Sequence, residues 1–196
     1  EVEVFVPGTG RVRNRVTDPY STSVTADGVQ SVLLDLDDAA TQPEGWAEGA
    51  GTRPPAPRHQ TDMVIYELHV RDFSIGDATV PAADRGKYLA FTHADSAGMR
   101  HLRALREAGL TDIHLLPVFD IATVPEIGCV TPRVPVAAPD STEQQAAVMA
   151  VAEADCFNWG YDPLHYGAPE GSYASDAADP AARVRSASAM SAVTTS

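Results

Sequence analysis

Residues 1–6 (EVEVFV) alternate polar and apolar positions, the period-two pattern of a strand with one buried face. A turn at Pro7-Gly8-Thr9-Gly10 leads into 11–16, where Val12 and Val16 recur among Arg and Asn. Asp18-Pro19 marks a second turn, and 31–36 predict a third short strand. Together these read as the last strands of a β-sandwich, over 1–36. Residues 37–61 hold one large apolar residue, Trp46, among Gly, Pro, Ala and Glu. This predicts a linker with a boundary near Gln60, stiffened by the extended Arg53-Pro54-Pro55-Ala56-Pro57. Trp46 reads as an anchor onto a neighbouring surface, ahead of a ligand-stacking role.

The pattern changes at residue 62. DMVIYELHV (62–70) is a nearly continuous apolar run, as in a strand buried on both faces of a parallel sheet. Ser96 can cap a helix running to Ala108, with Met99, Leu102 and Leu105 on one stripe and Gly109 as the stop. DIHLLPV (112–118) is a second buried strand, so strand, helix and strand form a βαβ unit. Residues 125–140 are Pro-rich and loop-like. Thr142 opens another helix towards Asp155, and Asp179-Pro180 starts a last one that loses its apolar periodicity after Val184. The tail from Ser186, SASAMSAVTTS, is small and polar and reads as a truncation or a change of frame.

Composition narrows this picture. Ala inflates the 44% hydrophobic content, because Val, Leu, Ile and Phe make up only about a fifth of the 196 residues. That is close to the level below which charged chains stay disordered, so a core requires their concentration in 63–73 and 102–121. The net charge of −13, with Lys87 as the single lysine, disfavours nucleic acid and anionic membrane surfaces as partners. A neutral sugar remains compatible. No apolar run approaches the ~20 residues that span a bilayer, and no signal-peptide pattern opens the chain. The chain starts mid-strand without an initiator Met and reads as a piece of something longer, which leaves its compartment open. Cys129 and Cys156 make neither a disulfide scaffold nor a CxxC site. Two unrelated thiols are the expected reading, with a bridge between them as the alternative.

GxSxG, P-loop, GxGxxG, HExxH and EF-hand patterns are absent, and none of the six histidines pairs with another at metal-ligand spacing. No metal and no cofactor is expected. His114 predicts a hydrogen-bonded core residue, whereas His69 lies near a strand's C-terminal end, where α/β sites form. Glu67 should be buried against Arg71. Asp72 and Asp120, just past predicted strands, read as acids that cap loops. The informative stretch is Asn158-Trp159-Gly160-Tyr161-Asp162-Pro163, followed by Pro169-Glu170-Gly171-Ser172-Tyr173. Two aromatics around a glycine, flanked by an amide and a carboxylate, suit the apolar face and the hydroxyls of a pyranose. Composition alone favours a packed Gly/Pro turn instead.

VIYELHVRDFS (64–74), GLTDIHLLPVFD (109–120) and NWGYDP…PEGSYAS (158–175), in this order, resemble the pullulanase or limit-dextrinase branch of the α-amylase superfamily. The likeness runs over about 1–185: the opening resembles the end of a starch-binding-like sandwich, and 143–155 the long insertion of limit-dextrinase-type members. It implies an α/β fold, the incomplete start of a (β/α)8 TIM barrel over 62–196. It further implies a retaining hydrolase of α-1,6 links in pullulan, limit dextrin or glycogen, with an Asp nucleophile and a Glu acid/base. Those acids belong to later strands, so no catalytic residue is expected in this chain. The resemblance makes Tyr161 the residue that stacks on the sugar at the cleavage subsite, with Asp162 beside it and Trp159 and Asn158 in the same motif. A stand-alone carbohydrate-binding module and a non-functional fragment are the rival readings.

Overall fold

The computed structural model describes residues 1–49 and 57–194; all but Pro57 of the proline-rich piece expected at 53–57 lies outside them. Strands β1 (Val2–Val6) and β2 (Gly10–Asn14) form the predicted antiparallel hairpin, with Val4 opposite Val12. Gly8 and Gly10, both at positive φ, make its turn. The expected buried face does not exist: every residue of β1 is exposed, Phe5 at 72%. Among the described residues no second layer packs on this two-stranded ribbon. The third strand is also absent, because 31–36 contribute one isolated bridge, Val24 to Ser31. Leu33 and Leu36 stay in solvent.

After α1 (Trp46–Gly49), strand β3 (Ile65–Leu68) pairs in parallel with β4 (Asp112–Leu115), in the register Ile65 to Asp112. Two helices lie between them, α2 (Val70–Ser74) and α3 (Ala97–Glu107). The Ser96 hydroxyl accepts the Met99 N–H at 3.2 Å, Met99 and Leu102 are buried, and Gly109 at φ +110 ends the helix as its sequence predicts. Burial of the strands is the correction. In β3 only Leu68 is buried, while Val64, Ile65 and Tyr66 are exposed. Tyr66 meets His101 of α3 edge to face at 6.1 Å on the side of Leu68, but among the described residues nothing covers Ile65 on the other face of β3. Two further expectations fall with it: Glu67 and His114 are both exposed and pair with each other at 3.6 Å, and Arg71 pairs with Asp72 at 3.0 Å.

A third pair, β5 (Phe119–Ile121) antiparallel to β6 (Pro163–Pro169), was not visible in the pattern. Between its strands run the predicted loop and α4 (Glu143–Met149), which gives way to turns instead of reaching Asp155. Cys129 and Cys156 are disulfide-bonded, against the expectation of independent thiols. The parallel bridge of Val130 to Asp155 brings the two ends of this excursion side by side, which folding alone must do before any bond can form.

The last helix, α5 (Pro180–Thr194), passes straight through the tail that read as small and polar. Ala182, Arg183, Ser186 and Met190 are buried along it, at spacings of one, three and four residues, so the inward stripe mixes two small side chains with a buried arginine and a single large apolar residue. Met190 joins Leu68, Val70, Tyr88, Phe91, Met99, Leu102, Ile121, Val124 and Tyr173 in the core. Phe73 stacks on Phe91 at 4.1 Å. At about 1.5–3 kcal/mol per fully buried large apolar side chain, this cluster is the main source of cohesion. Among the described residues no helix is long and apolar enough to cross a membrane.

Candidate functional site

The loop before β6 carries the aromatic pair. Gly160 is buried at φ +87, and a Cβ there would lie 2.9 Å from Pro117 Cβ, so both its conformation and its packing require glycine. This tight approach throws its neighbours outward: Trp159 is 56% exposed and Tyr161 71%. Asn158 and Asp162 hold the loop from within. The Asn158 side chain accepts the Gly160 N–H at 2.7 Å and donates to the Thr123 hydroxyl at 2.5 Å, and that hydroxyl donates to the Asp162 carboxylate. The Ala122 N–H donates to the Asp162 carbonyl at 2.9 Å. The structure therefore brings all four sequence-predicted residues into one loop, two as exposed rings and two as polar ties beneath them. His69, at the end of β3, supports the same loop through the Asn158 carbonyl at 2.8 Å. Asp72 does not cap a loop with its side chain; its own N–H is taken up by His69.

Sequence reasoning missed a second constellation. Asp120, His165, Glu126, Glu170 and Arg183 are all buried, Asp120 and Glu170 completely. Arg183 donates to Asp120 and Glu126 at 2.8 Å each, to the Pro169 carbonyl at 2.8 Å and to the Thr25 carbonyl at 3.2 Å. His165 donates through Nδ1 to Asp120 at 2.7 Å, and its Nε2 meets the Thr17 hydroxyl at 2.6 Å. Glu126 accepts the N–H groups of Asp27 and Gly171, while the Asp27 carboxylate accepts the Glu126 N–H. Glu170 accepts from Ile121 and Ser172. The network thus ties 17–27 to β5, β6 and α5. Asp120 is its centre and not the loop cap its position suggested; the signal available was an acid set directly between the apolar residues Phe119 and Ile121.

Burial pushes Glu126 up to about 7, Arg183 opposing the shift and the Glu170 charge adding to it. Burial also raises Glu170, with the hydrogen bonds from Ser172 working against it. Tyr88, fully buried, is raised by the same cause; its hydroxyl donates to the Val118 carbonyl and accepts the Glu170 N–H. Ligand atoms of Asp120, Glu126 and Glu170 lie within 4.8 Å of one another. Each of their six oxygens already accepts a hydrogen bond, and the Arg183 guanidinium supplies the positive charge, so the grouping is a closed ion network rather than a cation cage.

No family model matches the chain. Single relatives do. It is 43% identical over 186 residues to the chloroplastic pullulanase 1 of Arabidopsis thaliana, covering 92% of this chain and 19% of that protein. It is 38% identical to the pullulanase of Klebsiella aerogenes, covering 88% of this chain and again 19% of the relative. Among solved structures, the Klebsiella pneumoniae pullulanase complexed with maltotriose superposes with a TM-score of 0.82 at 36% identity, over 95% of this chain and 21% of that one. The chain therefore spans about a fifth of the length of the relatives it matches. Over nine tenths of its length, this mixed α/β chain is homologous to one stretch of the pullulanases.

Proposed function

We propose that the chain is part of a debranching glycoside hydrolase acting on α-1,6 links in pullulan, limit dextrin or glycogen, and that it supplies sugar contacts but no catalytic acid. On this reading 1–36 close a starch-binding-like sandwich, 37–61 link it, and 62–196 begin a (β/α)8 barrel whose later strands carry the retaining pair. The observation that carries the reading is the exposed Trp159/Tyr161 pair, held by Gly160 and supported from the C-terminal end of β3. Barrel enzymes build their sites at that end of the strands. Tyr161 offers an open ring for the apolar face of a glucosyl unit, and Trp159 a second one. Asn158 and Asp162 keep the two rings in register.

Retaining hydrolysis needs two carboxyl groups about 5–5.5 Å apart across the scissile bond. Three acids that do lie together, Asp120, Glu126 and Glu170, are sealed from solvent and satisfied internally, so no glucan reaches them. The purified 196-residue chain should accordingly release no reducing ends from pullulan. Turnover above a blank that falls in Tyr161→Ala would overturn the proposal. A non-catalytic carbohydrate-binding module is the alternative, which clear saturable binding of maltooligosaccharides without any turnover in the longer gene product would favour.

A further inference from the structure

His69 is 6% exposed, and both of its ring nitrogens are in use. Nδ1 accepts the Asp72 N–H at 3.4 Å, at the start of α2. With Nδ1 an acceptor, the neutral ring carries its proton on Nε2. Nε2 donates to the Asn158 carbonyl at 2.8 Å, with the Tyr173 hydroxyl 3.2 Å away. The ring packs against Phe157 at 5.3 Å and meets Trp159 edge to face at 6.1 Å and Tyr173 at 5.8 Å. Phe157, Asn158 and Trp159 are consecutive, so one imidazole grips the backbone and both flanking rings of the platform loop. Trp159 and His69 also wall a cleft of about 470 Å³, together with Tyr66, Glu67, Asp72 and His101.

We infer that His69 is a positioning residue: through Nε2 it fixes the Trp159 indole as the wall of a cleft that takes one glucosyl unit of a neutral α-glucan. The ligand rests on the function proposed above; the geometry does not. A structural role as the cap of α2 would use Nδ1 alone, and the two roles separate by substitution. His69→Asn keeps an acceptor near Nδ1 and loses the Asn158 contact. His69→Gln carries an amide N–H out to the reach of Nε2 and loses the cap.

The test uses the full chain with Trp46→Phe, which leaves Trp159 as the single tryptophan. Acrylamide quenching of its fluorescence and titration with maltotriose are read for each variant, with urea midpoints to show that each folds. His69→Asn should raise the quenching constant and weaken maltotriose binding about tenfold. His69→Gln should stay close to the parent in both. Equal behaviour of the two variants, or a wild-type-like His69→Asn, would overturn the positioning role. If the parent binds no maltotriose while quenching still separates Asn from Gln, the ligand assignment fails and the positioning role stands.

Discussion

Replacing Arg183 by Met keeps most of the side chain's volume and removes its charge. Arg183 is 1% exposed and bonds Asp120, Glu126 and two backbone carbonyls from segments up to 158 residues apart. Without it Glu126 is left as a buried carboxylate beside Glu170 with no cation in contact, and Asp120 keeps only its hydrogen bond from His165. Breaking one side of a buried ion pair costs about 3–5 kcal/mol. At a typical urea dependence of ~2 kcal/mol per molar, the midpoint should fall by about 2 M, followed by far-UV circular dichroism. The loss must also depend on pH. In the variant Glu126, already raised by burial, loses the Arg183 charge that opposes the shift and holds its proton still more tightly when folded, so the variant loses stability as pH rises and the deficit is larger near pH ~8 than near pH ~5. A deficit under about 1 kcal/mol at the higher pH, or one that does not change with pH, would refute the view that Arg183 holds this network together.

Wild-type stability should carry a smaller signature of the same kind. Glu126 has a folded pKa raised from 4.5 to about 7, so the unfolded chain gives up that proton first. The penalty grows as pH rises between these values, reaches at most about 3 kcal/mol and is constant above them; Glu126→Gln should flatten this part of a stability-versus-pH curve. Gly171→Ala drives a Cβ into the Glu126 carboxylate and should cost about 1–3 kcal/mol, read as a lowered thermal midpoint. Replacing Cys129 and Cys156 with Ser opens a loop with a sequence separation of 27 and should cost about 3.5 kcal/mol by loop-closure entropy. The unfolding free energies of wild type with and without dithiothreitol, taken from urea titrations, should differ by the same amount.

The local elements were legible wherever one segment's own pattern decides them. The β1–β2 hairpin follows from alternation and the turn glycines, α3 from Ser96, its apolar stripe and Gly109, and the β3–α3–β4 order from two apolar runs around that helix. The aromatic loop was legible only through the family resemblance, since composition alone favoured a packed turn; the buried Gly160 against Pro117 is what leaves Trp159 and Tyr161 exposed. What the tertiary structure decided is which surfaces are covered and which charges meet. The apolar run of β3 could not reveal that Ile65 would stay exposed while Leu68 is buried, since burial is a property of neighbours and not of the strand. The small residues of α5 showed no amphipathic stripe, yet small side chains let the helix lie close against the 3-10 turn of Tyr88–Thr92. Asp120, Glu126, His165, Glu170 and Arg183 are scattered over more than sixty residues, each ordinary where it stands. Only the pairing of β5 with β6 and the docking of α5 place them within hydrogen-bond reach, where low dielectric makes each depend on the others.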